Sequence, residues 1–179
     1  MNNRIILITG PKHSGKTHCA LALGKLLNVK TVDLDELIEI QSGKSPRALF
    51  YKGSEIFRKA EAEALASLIK SGPCIKETTL IIAAGGGLID NTEALALLSK
   101  YREKNICIAC LDIKAETAWQ RINAGEMPAF LNTENPQDTH LALHERRSKA
   151  YKTLADLIID AENKSPETIA AEIASYFLA

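Results

Sequence analysis

The sequence predicts an α/β domain with a mainly parallel sheet, and three observations predict it. Short apolar, β-rich runs alternate with runs of helical period from one end of the chain to the other, the pattern of repeated strand–helix–strand units. The segment Gly10-Pro11-Lys12-His13-Ser14-Gly15-Lys16-Thr17 stands directly behind the apolar run Ile5-Ile6-Leu7-Ile8 and ahead of the helical pattern from Cys19 to Leu27. A chain of 179 residues fits one domain, 1–179, and on folding should bury roughly 70% of its extended surface, so it needs no disulfide or metal staple.

The first strand, Arg4 to Thr9, leads into G-x-x-x-x-G-K-T, the spacing of a phosphate-binding loop. In such a loop the backbone from Pro11 to Gly15 wraps a di- or triphosphate, its N–H groups from Lys12 onward donating, and the following helix adds positive potential at its N-terminus. Lys16 reaches the outer phosphates and the Thr17 hydroxyl meets Mg²⁺. A nucleoside triphosphate with Mg²⁺ is therefore the expected ligand. The second strand, Val29 to Leu34, closes on Asp33-Leu34-Asp35. Alternation along a strand puts both carboxylates on one side, where one could reach the Mg²⁺ shell and the other a substrate hydroxyl. The competing reading makes Asp35 a helix cap.

Ser45-Pro46 has the signature of a cap with proline at the first helical position, and Gly53 ends that short helix. Ser54 caps a longer helix that carries Ile56, Phe57, Ala60, Ala64, Leu65 and Leu68 on one side and stops at Gly72-Pro73. The third strand, Thr79 to Ala84, ends in Gly85-Gly86-Gly87, which suggests either a close approach of something to the main chain or a sharp strand-to-helix turn. A helix from Asn91 to Arg102, a strand from Ile106 to Leu111 and a helix from Lys114 to Ile122 follow. Asn123 to Asp138 lacks periodicity and reads as a long exposed loop. A helix from Thr139 to Leu154, a strand from Leu157 to Asp160 and a helix from Pro166 complete the chain.

Two arginines have suggestive neighbours. Arg58 and Glu61 stand one helical turn apart, so the carboxylate can orient the guanidinium toward a ligand, and Arg147 lies four residues before Tyr151. Each alone is more often a surface ion-pair partner than a ligand-binding group. Cys107 and Cys110 form C-x-x-C, but on a strand that odd separation points the thiols to opposite faces. With Cys19 and Cys74 they read as unpaired thiols, and no zinc set is expected. Lys plus Arg equals Asp plus Glu, 22 each, giving no electrostatic case for nucleic acid or a membrane surface. The start of the chain leaves no space for a signal peptide and no apolar run has membrane-spanning length, so a cytoplasmic enzyme acting on a small molecule, as a monomer, is the expectation.

In order and spacing these segments resemble the shikimate kinases over nearly the whole chain. The phosphate loop is followed by Asp33-Leu34-Asp35-Glu36-Leu37-Ile38-Glu39, Gly43-Lys44-Ser45, Phe57-Arg58-Lys59-Ala60-Glu61 and Ala84-Gly85-Gly86-Gly87. Then come Leu111-Asp112-Ile113-Lys114-Ala115-Glu116-Thr117-Ala118, Arg147 to Tyr151 and Ala155-Asp156. The resemblance implies a three-layer α/β/α fold with a five-stranded parallel sheet of order 2-3-1-4-5, a substrate-binding helical segment at 35–72 and a lid at 123–138. It implies phosphorylation of a shikimate hydroxyl by ATP, a step toward chorismate and the aromatic amino acids. Carried over by position, Lys16 holds the β- and γ-phosphates, Thr17 and Asp33 serve Mg²⁺, and Asp35 binds the ring hydroxyls including the attacking one. Arg58 and Arg147 clamp the carboxylate, Gly85, Gly86 and Gly87 let the ring lie on backbone, Arg121 stacks on adenine and Pro166 lies on the other side of that base.

The lid departs from the family. Where relatives carry Arg-Pro-Leu-Leu, with an arginine that reaches the transferring phosphate, this chain has Met127-Pro128-Ala129-Phe130-Leu131, and from Asn123 to Thr139 it has no Lys or Arg. Lys12 or His13 in the phosphate loop is a candidate replacement. Smaller departures are Leu49 for Phe, Ser54 for Glu and the Thr17-His18 continuation. Two further readings stand beside the main one: a kinase of another small hydroxy acid, and a weakly catalytic nucleotide-binding homologue. A GTPase is a poorer fit, since Pro166 stands where the guanine-recognising Asp would follow Asn163-Lys164.

Overall fold

The computed structural model of the chain describes residues 4–71, 79–125 and 127–178. Its five strands are β1 (Arg4–Thr9), β2 (Lys30–Asp33), β3 (Thr79–Ala83), β4 (Ile106–Asp112) and β5 (Leu157–Asp160). They lie in the order β2-β3-β1-β4-β5, and every neighbouring pair is parallel. The helices are α1 (Lys16–Leu27), α2 (Leu34–Ser42), α3 (Pro46–Lys52), α4 (Ser54–Ser71), α5 (Thr92–Asn105), α6 (Ala115–Asn123), α7 (Pro136–Leu154) and α8 (Pro166–Leu178).

Alternation along the strands divides the core into two layers. Ile5, Leu7, Leu80, Ile82 and Ile108 face α2, α4 and α5 through Leu34, Ile38, Leu65 and Leu98. Ile6, Ile8, Ile81, Ala109 and Leu111 face the other way, onto Cys19, Ala20 and Leu23 of α1 and onto Ile169 and Ile173 of α8. A sheet covered on both faces explains why β1 and β3 read as unbroken apolar runs. Among the described residues no helix is long and apolar enough to cross a membrane. Cys19, Cys107 and Cys110 are free, and burial pushes the Cys19 and Cys110 thiols up to about 12. Cys74 and Gly72-Pro73 lie outside the described residues.

Several expectations are corrected. The second strand ends at Asp33, and Leu34 and Asp35 already belong to α2. Asp33, not Asp35, caps that helix: its Oδ1 accepts from the Asp35 N–H at 2.9 Å, satisfying a donor that the first helical turn leaves free. The first helix starts at Lys16 instead of Cys19, so the phosphate loop enters it directly, and α7 starts at Pro136 instead of Thr139. A proline at the first helical position loses no hydrogen bond, which lets α7 begin earlier. The long loop is not uniformly exposed. Its Ala129–Leu131 turn is a short 3₁₀ segment with Leu131 buried, and it packs against α3 and α7.

Leu23 is fully buried between α1 and the sheet. Leu23→Ala is expected to cost about 2–5 kcal/mol, read as a lower urea midpoint at unchanged slope.

Candidate active site

The phosphate loop turns on Gly15, which stands at φ 92°, a left-handed position immediately before α1. His13 holds φ 62° in the same loop. Within this cradle Lys16 is almost wholly buried, with Nζ donating to the Pro11 carbonyl at 2.7 Å. Burial pulls its pKa down to about 8, although Asp35 opposes the shift. Lys16 therefore needs an anion to hold its charge against the cost of burial. Thr17 Oγ1 donates to Asp33 Oδ2 at 2.6 Å, so a hydroxyl and a carboxylate meet at the mouth of the loop. This is an all-oxygen donor set of the kind that suits Mg²⁺.

The end of β3 sets the distance between this cradle and the next cavity. A Cβ on Gly86 would stand 2.9 Å from the Lys12 backbone nitrogen, and one on Gly85 would stand 3.1 Å from Asp35 Oδ1 and 3.2 Å from Glu61 Oε1. Only a bare backbone lets the strand end and the phosphate loop touch there. On the far side lies a cavity of about 230 Å³ whose wall includes Lys12, Asp35, Arg58, Arg147, Phe57 and the three glycines. Asp35, Arg58 and Arg147 thus face one space, although they come from α2, α4 and α7.

The electrostatics of that space differ from the simple pairing expected of Arg58 and Glu61. Arg58 pairs with Glu55 at 2.9 Å, since a partner three residues away on the exposed face is within easy reach. Glu61 is instead fully buried, and Asn91 Nδ2 donates to its Oε2 at 2.9 Å while Oε1 has no hydrogen-bond partner among the described residues. Burial raises the Glu61 carboxyl to about 7, against the Asn91 hydrogen bond and with help from the Asp35 charge. Burial also raises Asp35, and the Asp33 carboxylate adds to the shift while Lys12 and Lys16 oppose it. Arg147 gives two hydrogen bonds to Asp90 Oδ2, at 2.9 and 2.7 Å, and its guanidinium lies 5.3 Å from the Phe130 ring centroid. Burial works to raise Asp90, but Arg146 and Arg147 together hold it below the usual carboxylate range.

Arg121 donates to the His13 carbonyl at 2.8 Å, so it braces the loop. Pro166 opens α8 beyond the carboxyl end of β5. Asp90, Asn91 and Tyr151 escaped sequence reasoning as site residues. Tyr151 is fully buried, with its hydroxyl 3.3 Å from both the Ile89 nitrogen and the Gly85 oxygen; it ties the glycine turn to α7. The nearest signal for Asp90 was its place five residues after Gly85, which nothing local distinguishes from a helix-start acid.

A phosphate cradle that shares a wall with a cavity sized for a small organic anion makes this a P-loop kinase of small molecules. The chain belongs to the shikimate kinase family, whose sequence model matches residues 12–177. It is 34% identical over 168 residues to the shikimate kinase of Streptococcus gordonii, covering 92% of this chain and 94% of that one. With the shikimate kinase of Lactococcus lactis subsp. cremoris it is 33% identical over 170 residues, covering 94% of each. Among solved structures it superposes on the Acinetobacter baumannii shikimate kinase in complex with shikimate with a TM-score of 0.84 at 25% identity, over 98% of this chain and 93% of that one. The Aquifex aeolicus shikimate kinase gives a TM-score of 0.74 at 27% identity, over 98% and 99%.

A phosphate that pairs with Lys16 stabilises its charged form and raises its pKa in the complex. ADP affinity is therefore expected to be flat below about pH 8 and to fall by up to tenfold per pH unit as the free protein's Lys16 loses its proton. Calorimetric titration from pH 6.5 to 9.5 checks this, and Lys16→Met should remove the pH break with the affinity.

Proposed function

We propose that this chain transfers the γ-phosphoryl group of ATP to a ring hydroxyl of shikimate, giving 3-phosphoshikimate and ADP. The observation that carries this reading is that Asp35, Arg58 and Arg147 face one cavity whose floor is the outer wall of the phosphate loop. A hydroxylated ring acid needs charge-assisted recognition at its carboxylate and an acceptor at its hydroxyls, and two guanidiniums with one carboxylate supply both. Arg58 and Arg147 grip the carboxylate, and Asp90 fixes the Arg147 fork from behind. Phe57 and the bare backbone of Gly85 to Gly87 bound the ring.

The acceptor hydroxyl bonds to Asp35. As the new bond from its oxygen to the γ-phosphorus forms, the bond from that phosphorus to the β,γ-bridging oxygen breaks, and its electron pair leaves on ADP. Asp35 takes the hydroxyl proton late, because a loose transition state demands alignment more than a strong base. Burial raises the Asp35 carboxyl, which suits it to keep that proton until product leaves. Lys16 holds the β- and γ-oxygens, Arg121 and Pro166 border the adenine, and the 123–138 segment closes over the site as a lid without Lys or Arg. Thr17 and Asp33 would hold Mg²⁺, which when bound neutralises charge on the phosphate chain. The reading expects a monomer that works in the cytoplasm.

The lid without Lys or Arg favours one other reading, a nucleotide-binding homologue with little turnover. A coupled ADP-release assay with a panel of hydroxy acids tests both. Shikimate-dependent release is expected; ADP release with another acid alone, or ATP binding with no acceptor-dependent release, would replace the proposal. Arg58→Ala should raise the shikimate KM by tenfold or more while changing the ATP KM by less than about threefold, and Asp35→Asn should lower kcat by about 10²-fold or more with nucleotide affinity nearly intact.

A further inference from the structure

The family's usual lid cation is missing, and the lid residues on the cavity wall are Pro128, Ala129 and Phe130. Phosphoryl transfer through a loose transition state still needs positive charge where the departing group spreads its own. We propose that Lys12 supplies it from the floor of the site, as the catalytic cation that the lid lacks; this rests on the kinase reading given above.

Among the described residues, Lys12 is the single member of the phosphate loop that also lines the acceptor cavity. Its backbone is pinned: the nitrogen and Cα stand 2.9 and 3.1 Å from the position that a Cβ on Gly86 would take. The side chain therefore leaves from a fixed point on the wall between donor and acceptor. Its charge acts on groups to either side of that wall, depressing Lys16 in the cradle and opposing the rise of Asp35 in the cavity. A cation that both the phosphate lysine and the acceptor carboxylate feel is well placed to meet a phosphoryl group passing between them.

The guanidiniums on the cavity wall are engaged. Arg58 pairs with Glu55 and Arg147 with Asp90, and Arg47 lies over the Tyr51 ring at 5.6 Å. Lys12 has neither an ion-paired nor a hydrogen-bonded partner for its ammonium among the described residues. The lid takes a different part. Phe130 covers the Arg147 guanidinium, and an apolar cover that excludes water strengthens whatever charge remains beneath it. Lys12 adds no bond and moves no proton. In the transfer step it holds the equatorial oxygens of the γ-phosphoryl while the acceptor oxygen bonds and the bridging oxygen leaves.

The test is Lys12→Met, which keeps an unbranched stem and removes the charge, with Lys12→Gln as a second variant should the first fold poorly. The expected result is a kcat about 10²- to 10³-fold below the parent, with ADP Kd and shikimate KM each within threefold. The affinity of the ADP–aluminium fluoride–shikimate ternary complex should fall by a factor comparable to the loss in kcat, and Lys12→Arg should recover most of the rate. A kcat retained within threefold, or an ADP affinity that falls as far as kcat, would overturn the role of Lys12 while leaving the kinase reading intact. A parent enzyme without shikimate-dependent ADP release would overturn both.

Discussion

The structure depends on one close approach, between the backbone of Gly86 at the end of β3 and the backbone of Lys12 in the phosphate loop. With 2.9 Å between a hypothetical Gly86 Cβ and the Lys12 nitrogen, no other side chain fits without moving one segment off the other. The contact makes the outer wall of the nucleotide cradle serve as the inner wall of the acceptor cavity. A parallel sheet gathers ligands beyond the carboxyl ends of its strands, but this shared wall is what turns proximity of two sites into adjacency of two reacting groups.

Around that wall the chain stores charges that are costly when alone. Lys16 is held in the cradle with its proton weakened by burial, and Asp35 and Glu61 are held on the opposite side with theirs strengthened. Among the described residues Glu61 Oε1 has no hydrogen-bond partner, and a Cβ on Gly85 would touch both it and Asp35. Such groups cost stability in the empty protein and are relieved by ligands of opposite charge or by hydroxyl donors, so the same burial that destabilises the site favours its occupation. Asn91, Asp90 and Tyr151 hold these groups in register from the back: Asn91 donates to Glu61, Asp90 accepts from Arg147, and Tyr151 bridges to the glycine turn.

The sheet and the phosphate loop were legible in the chain because their signals are local. β1 and β5 were read to their end residues, and the loop was fixed by spacing and flanks. Asp33 and Asp35 show the limit. Alternation placed both on a strand, yet one hydrogen bond from the Asp35 N–H to Asp33 turned the chain into α2 and separated their directions. Arg58 likewise chose Glu55 over Glu61 because exposure and burial decide between two carboxylates at helical spacing, and neither is visible in a sequence. Asp90 was missed because its partners lie 56 and 57 residues away. Leu131 is buried inside a segment without periodicity, in a turn that packs against α7 and against α3, far back along the chain.

The most direct test of the shared-wall arrangement is a crystal structure of the protein with ADP and shikimate bound together. The acceptor's hydroxyl should lie within hydrogen-bond reach of Asp35, about 2.6–3.2 Å, with its carboxylate on Arg58 and Arg147 and the ADP β-phosphate on the other side of Lys12. Shikimate seated in another cavity, or turned so that its carboxylate faces Asp35, would contradict it.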